Sequence, residues 1–511
     1  MGNEIGIIDL GSNTARLVIY HRDDQGFFYE VDNIKRVLRL SSHLSDGQID
    51  HDGIEKAVLC MHQFRKLLDA RQVRTAFGVA TAAVRQALNG ADLLQRIEAE
   101  TGIPMEVLSG EVEARYGYLA VVHSMNLDEG ITVDIGGGST EVTYFANRQL
   151  QGSVSFPFGI VTLTHMFIKQ DPPAPEEIAQ LQSFVTRHLV AQPWLIGKRC
   201  PVIAIGGTAR NLAKIFQKDI EYSLSSLHHF VMPTTNVTEI FNNLIRLPLD
   251  KRKQIPGLSK DRADVIIPGV AVFHGLLECV GSEQLLISDK GLRDGVLLAK
   301  MSPHLPIPGT EEVRQRSTER FMNRYRVERA HAYHVRELAH RLVEELERLE
   351  VFRFTPEEKS LLETAALLHD VGRSVNVYET SKHTFYLLTN VLLEGFTHQE
   401  RLLIAMMASY KNSKQLQKQL GLHADIVPKT AKSRLDKLGT LLLLARALDR
   451  SMTQQIESIR LAEQKQTILL ECVSAHQQLI EFSILEEELE KAAKAFKRPF
   501  RFTRVSPESF K

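Results

Sequence analysis

Two short segments of this chain share one pattern of apolar and polar positions: a strand, an aspartate, a turn rich in glycine and serine, and a second strand. Ile7-Ile8-Asp9-Leu10-Gly11-Ser12-Asn13-Thr14 is the first copy, and Thr132-Val133-Asp134-Ile135-Gly136-Gly137-Gly138-Ser139-Thr140-Glu141 is the second. Residues 16–20 and 142–145 supply the return strands. Between the copies, Ile54, Val58, Met61, Phe64 and Leu68 recur at helical spacing, while 77–81 and 105–108 are short apolar runs of strand type. Residues 111–122 predict a helix that opens on acids, the end where negative charge is favoured. Pro201-Val202-Ile203-Ala204-Ile205 reads as a buried strand ending at a turn, Gly206-Gly207-Thr208, with a helix through Leu212 and Ile215 behind it. Residues 285–288 predict a last strand, and Gly291-Leu292-Arg293-Asp294-Gly295 leads into another helix.

The pattern changes at 302–309, where proline and glycine punctuation marks a linker. Beyond it the spacing is helical as far as about Thr453. Strand-type alternation returns at 467–471 and at Leu479-Ile480-Glu481-Phe482, followed by a charged helix and a basic end. Asp9 and Asp134 stand about 125 residues apart, one domain length. The repeat therefore predicts two similar α/β domains, 1–125 and 126–302, whose turns face one cleft. A helical domain at 310–453 and a small α+β domain at 454–511 complete the expected architecture.

Composition narrows the function. A chain of 511 residues is too long for one core. Lys plus Arg equals Asp plus Glu at 62 each, so no global charge argues for nucleic acid or a membrane surface. Any polyanion must be held by a local cluster. Cys60, Cys200, Cys279 and Cys472 lie far apart, which fits neither a disulfide framework nor a zinc knuckle and suits a reducing compartment. The first 20 residues lack the pattern of a signal peptide, and no apolar run has the length of a membrane span. A cytoplasmic location is expected.

A strand that ends in Asp and turns through Gly-Gly-Gly-Ser-Thr makes a phosphate site. Glycines let backbone N–H groups approach an anion, and the hydroxyls of Ser139 and Thr140 add donors. Asp134 and Glu141 flank the loop and can hold Mg2+, which prefers oxygen ligands. A single glycine turn is more often structural; two Asp-initiated copies and a third turn at Gly206-Gly207-Thr208 favour a phosphate cleft.

These turns resemble the phosphate loops of the actin, sugar kinase and Hsp70 superfamily. Their details resemble one branch of it, the exopolyphosphatase and guanosine pentaphosphatase family. The two Asp-initiated turns, Val79-Ala80-Thr81-Ala82-Ala83-Val84-Arg85, Ser109-Gly110-Glu111-Val112-Glu113-Ala114-Arg115, the Gly206-Gly207-Thr208 turn and the 291–295 segment occur in the family's order over about the first 300 residues. The resemblance implies two actin-like (ribonuclease H-like) α/β domains and makes Glu113 the catalytic base. Phosphoanhydride hydrolysis needs an in-line water, a carboxylate to deprotonate it and cations to spread the equatorial charge. Glu113 is expected to activate water, and Arg85 to neutralise developing charge. Asp9, Ser12, Asn13, Gly136, Gly137, Gly138, Ser139, Thr140, Gly207 and Thr208 would cradle phosphates. Arg293 would close the cleft or bind chain phosphates. The bland alternatives are first-turn helix acids for Glu111 and Glu113, and a surface ion pair for Arg85.

In the helical segment, His331 stands near the start of a helix, His369-Asp370 ends an apolar one, and Asp449 lies in Ala445-Arg446-Ala447-Leu448-Asp449. This is similar to the HD phosphohydrolase domain, in which such residues surround a divalent metal; nitrogen and oxygen ligands would suit manganese, iron or zinc. Lys411 stands where two-metal HD enzymes tend to place histidine. Lys411, Lys414, Lys418, Lys429, Lys432, Arg434 and Lys437 form a basic stretch, either a solvated face or the lining of a path for a long polyanion.

The expected reaction is exohydrolysis of inorganic polyphosphate, with guanosine pentaphosphate as the alternative substrate. Family resemblance also implies a homodimer. A kinase-type phosphotransferase and a nucleotide-binding signalling protein acting through the helical domain are the competing classes. The Glu113 segment favours water attack, and no sugar pocket is recognisable.

Overall fold

A computed structural model of the chain describes residues 3–476 and 479–506. The extreme ends of the 1–125 and 454–511 segments, including the last residues of the basic end, lie outside the described residues. The chain divides into two compact units, Met1–Glu221 with Leu227–Val313, and Tyr222–Ser226 with Arg314–Lys511.

The first unit contains two sheets built to one plan. In the first, strands Phe28–Val37, Thr14–Arg22 and Glu4–Leu10 form an antiparallel meander, and Thr75–Ala80 and Met105–Val107 continue it in parallel. In the second, Gln149–Phe156, Thr140–Ala146 and Gly130–Ile135 form the meander. Val202–Ile205 and Gln284–Ile287 extend it in parallel, and Val231–Pro233 closes the edge. The repeat read from the sequence extends to the register: Asp9 pairs with Arg16 and Asp134 with Glu141, Leu10 with Ala15 and Ile135 with Thr140.

Side-chain alternation along a strand decides what reaches the cleft. Ile8, Leu10 and Leu17 pack against Val58, Met61, Phe64 and Leu68 of helix His51–Ala70. Ile5 and Ile7 face the opposite way, against Val18, Leu108, Val296 and Leu297. Asp9 follows Ile5 and Ile7 on that second face, at the strand's C-terminal end. Helix Gly110–Val122, capped by Ser109 accepting from the Val112 N–H at 3.3 Å, covers the same side. It crosses helix Leu292–Met301 at Gly295, where any β-carbon would fall on the Tyr116 carbonyl.

In the second unit, helices run from Thr310–Arg324 through Arg329–Arg348, Pro356–Leu368 and His398–Ala408 to Lys432–Ala447. Antiparallel strands Ser458–Gln464 and Thr467–Val473 follow. The alternation at 479–482 does not make a strand. Helix Ile480–Phe496 starts there, because Glu481, Leu485, Leu489, Ala492 and Phe496 are its buried positions, at helical spacing. Four residues were too few to separate a period of two from one of 3.6. The basic end includes strand Phe500–Val505, parallel to Thr467–Val473. One core crosses residue 453, joining Leu338, Leu342 and Leu441 to Leu461, Leu470, Leu485 and Leu489. Among the described residues, no helix is long and apolar enough to cross a membrane.

The Gly295 crossing yields a test. Gly295→Ala is expected to destabilise the protein by about 1–3 kcal/mol through overpacking, measured by urea denaturation. Wild-type stability in that variant would show that the two helices separate freely.

Candidate active site

A cavity of about 150 Å³ opens at the C-terminal ends of the parallel strands of both sheets, where open α/β sheets place their ligands. Asp9, Asp134 and Ile205 end strands there, and Thr81 and Asp289 follow strands. Four helices also present their first turns to it, through Glu113, Ile160, Gly206 with Gly207, and Leu292. Helix N-termini favour anions because their N–H groups are unpaired and their dipoles point outward.

Charge in the cavity is mixed. Asp9, Glu113, Asp134, Glu141 and Asp289 face Arg16, Lys35, Arg210, Arg262 and Arg293. Acids at this density suit a cation, and the arginines suit a polyanion. Gly136, Gly137, Ser12 and Asn13 also line the cavity. The two repeated loops touch: a β-carbon on Gly137 would lie 2.9 Å from Ser12 Cβ. A β-carbon on Gly207 would have to displace the Arg262 guanidinium, which lies against it.

Not every residue expected at the phosphates lines the cavity. Gly138, Ser139, Thr140, Thr208 and Arg85 stand outside its lining. The buried Thr140 hydroxyl donates to the Phe158 carbonyl at 2.7 Å, and Ser139 hydrogen-bonds Glu141. Arg85 donates to the Leu108 carbonyl at 2.7 Å and to Glu113 Oε2 at 3.0 Å. It therefore sits behind the carboxylate. Arg293 Nη1 lies 3.5 Å from Asp9 Oδ2.

The sequence reading missed Arg16, Lys35, Arg210, Arg262 and Asp289. Arg16 had a signal, since it holds the repeat position that Glu141 holds in the second copy. Arg210 stands one turn into the helix that begins at Gly206. Lys35 and Arg262 lie in segments with no motif. Lys35 also bonds Asp261, the neighbour of Arg262, at 2.9 Å.

Burial governs the acids. It pushes the Glu113 carboxyl well above the usual range, Glu141 adds repulsion, and Arg85 opposes both. Burial lifts Glu141 to about 7 despite hydrogen bonds from Ser139 and from Ser155 at 2.8 Å. It lifts Asp134 to about 6, and raises Asp9 against the pull of Arg293 and Arg16.

In the second unit, His331, His369 and Asp370 come together with ligand atoms within 4.8 Å of one another. Asp449 bonds His331 Nδ1 at 2.8 Å instead of joining them. In the basic stretch, Lys432 pairs with Asp436 at 2.8 Å and Arg434 with Glu358, and Lys437 lies 4.8 Å over the Phe352 ring. Lys411, Lys414, Lys418 and Lys429 are exposed.

The profile of the Ppx/GppA phosphatase family matches residues 18–304, and that of the family's domain III matches 313–493. Among solved structures, the Aquifex aeolicus member of the Ppx/GppA protein family is 31% identical, over 59% of this chain and 99% of its own, with a TM-score of 0.53. An exopolyphosphatase from Cytophaga hutchinsonii is 24% identical, over 59% of this chain and 98% of its own, with a TM-score of 0.55. Fold and comparisons define a hydrolase, a phosphatase whose first unit holds two α/β sheets of one plan. The chain belongs to the Ppx/GppA phosphatase family.

The raised carboxyl groups fix the sign of a pH effect. Their folded pKa values exceed the unfolded ones, so between about pH 4 and pH 7 these groups hold more protons in the folded protein than in the unfolded chain. In EDTA, Glu141 alone is expected to contribute a fall in stability on the order of 3 kcal/mol as pH rises through that window. Glu141→Gln should flatten the fall. Thermal denaturation from pH 4 to 8 checks this; equal slopes for the two proteins would contradict it.

Proposed function

We propose that the cleft removes terminal phosphate from inorganic polyphosphate by water attack on the end phosphoanhydride. One observation carries the reading: the Glu113 carboxylate lines a charged cavity, held from behind by Arg85, with its proton affinity raised by burial. A carboxyl tuned upward in this way is suited to accept a proton from water near neutral pH.

Asp134 and Glu141 sit opposite each other in the hairpin and line the cavity with oxygen donors, a set that fits Mg2+. Magnesium, when bound, would supply positive charge to phosphoryl oxygens. The chain's residues do the rest. The backbone N–H of Gly137, with the helix first turns at Gly206 and Leu292, would hold the terminal phosphate. Arg16, Arg210, Arg262 and Arg293 would offset the charge of the following units. Glu113 takes the proton as water oxygen bonds to phosphorus, the bridging P–O bond breaks, and orthophosphate leaves with a shortened chain. Arg85 acts here as a positioning residue for Glu113, not as a direct phosphate ligand.

Polyphosphate is favoured over guanosine pentaphosphate by the lining. It is dominated by charged and small residues, and no aromatic side chain is among them to stack on a base. The exopolyphosphatase activity named for the Cytophaga hutchinsonii structure points the same way.

Phosphate release from each substrate with Mg2+ is the direct assay. Polyphosphate is expected to be the better substrate by kcat/KM; release from the nucleotide alone would replace the polymer reading, and release from neither would remove both. Glu113→Gln is expected to lower kcat by about 10²–10⁴-fold with little change in KM. Near-normal kcat would place the base elsewhere.

A further inference from the structure

Five cations line the cleft, and the charge of one is taken up by an acid outside it. Lys35 belongs to Phe28–Val37, the edge strand of the first sheet. The register sets Asp9 opposite Arg16 and Arg16 opposite Lys35. The three side chains therefore share one face of the sheet, in a row from its central strand to its edge. The outer end is the more open: the Asp9 side chain is 19% exposed and that of Lys35 34%. There Lys35 Nζ donates to Asp261 Oδ2 at 2.9 Å. Asp261 lies in the short turn Lys260–Arg262, beside the arginine whose guanidinium reaches Gly207. Arg262 is part of the lining and Asp261 is not. The hydrogen bond from Lys35 is the main cause that holds the Asp261 carboxyl below its usual range, so the acid is ionised near neutral pH. Among the described residues, the other lining cation in an ion pair is Arg293, whose partner Asp9 is itself in the lining.

We infer that Lys35 is a ligand for a phosphate unit downstream of the terminal one, and that Asp261 competes with the polyanion for it. This assignment rests on the polyphosphate reading of the cleft. The place follows from the row: Asp9 stands at the inner end with the glycine turns, and Lys35 stands at the outer end, where the following units of a chain must leave. The competition follows from the strength of the pair. Both partners are partly exposed, Asp261 at 44%, and an ion pair of that kind shifts an equilibrium by less than about fivefold. A chain phosphate brings both charge and oxygen acceptors, and the ammonium on its flexible four-carbon stem can turn to it without moving the backbone. Until it does, Asp261 withholds the lysine. A purely structural tie would make the two residues equivalent, whereas competition gives them opposite effects.

Steady-state phosphate release from polyphosphate by the full-length protein with Mg2+ separates the two roles. Lys35→Met is expected to raise KM about two- to fivefold, and Asp261→Asn to lower it by a similar factor, with kcat held within about twofold in both. The double variant should keep the KM of Lys35→Met, because without the ammonium Asp261 has nothing to withhold. Circular dichroism confirms that the variants fold. Shifts of KM in the same direction for the two single variants would make the pair a structural tie and overturn the assignment. So would a double variant with the low KM of Asp261→Asn, which would remove Lys35 as a ligand. Dissociation constants for polyphosphate, measured by calorimetry in the Glu113→Gln background, repeat the comparison without turnover. Wild type that releases no phosphate, with these constants moving as expected, strikes the hydrolysis reading and keeps the role of Lys35. Active wild type with KM unmoved in both single variants strikes the role of Lys35 alone. Absence of polyphosphate binding in that background strikes both.

Discussion

Three carboxyl groups, those of Glu113, Asp134 and Glu141, are buried together in one small cavity, and the first unit is arranged around compensating them. Removing a carboxylate from water costs several kcal/mol unless charge or hydrogen bonds replace the lost hydration. Here the replacements come from separate parts of the chain: Arg85 at Glu113, Ser139 and Ser155 at Glu141, and Arg210, Arg293 and Arg262 around Asp134. These groups can converge only where strands stop, because beyond a strand's end the backbone no longer spends its polar groups on the ladder. The C-terminal ends of parallel strands provide that place, with helix first turns beside them.

The duplicated scaffold makes the asymmetry informative. Both hairpins have the same register and loop length, yet the position opposite the aspartate is Arg16 in one copy and Glu141 in the other. One half can pair its aspartate internally. Asp9 feels Arg16 and Arg293, whereas Asp134 faces another acid across the hairpin. The two hairpins of a repeated fold thus bring unlike charge to one cleft, and the close approach of Gly137 to Ser12 keeps their loops in contact.

Features tied to local geometry were legible in the sequence. The two Asp-initiated glycine turns, the acid-headed helix bearing Glu113 and the His-Asp pair closing an apolar helix all announce themselves through spacing. Lys35 and Arg262 do not, because they lie in segments with no motif and nothing nearby distinguishes them from surface charges. The hydroxyls of Ser139 and Thr140 misled for the opposite reason. Their spacing suits a phosphate loop, but Ser139 bonds Glu141 and Thr140 bonds the Phe158 carbonyl. The hydroxyls that look like phosphate donors shape the loop, which leaves backbone N–H groups to meet the anion. At the other end, the 479–482 run was too short to show its helical period, and the parallel strand after it depends on a partner 32 residues earlier.

The position of Arg85 bears on how a buried base can work at all. Burial and the neighbouring Glu141 favour the protonated form of Glu113, and a protonated carboxyl accepts nothing from water. Arg85 opposes this from behind, where it cannot block the reacting face. In the proposed reading, a cation held by Asp134 and Glu141 cancels the repulsion that remains. In that reading Glu113 ionises more readily with the cation bound than without it, through the charge of two neighbouring carboxyl groups.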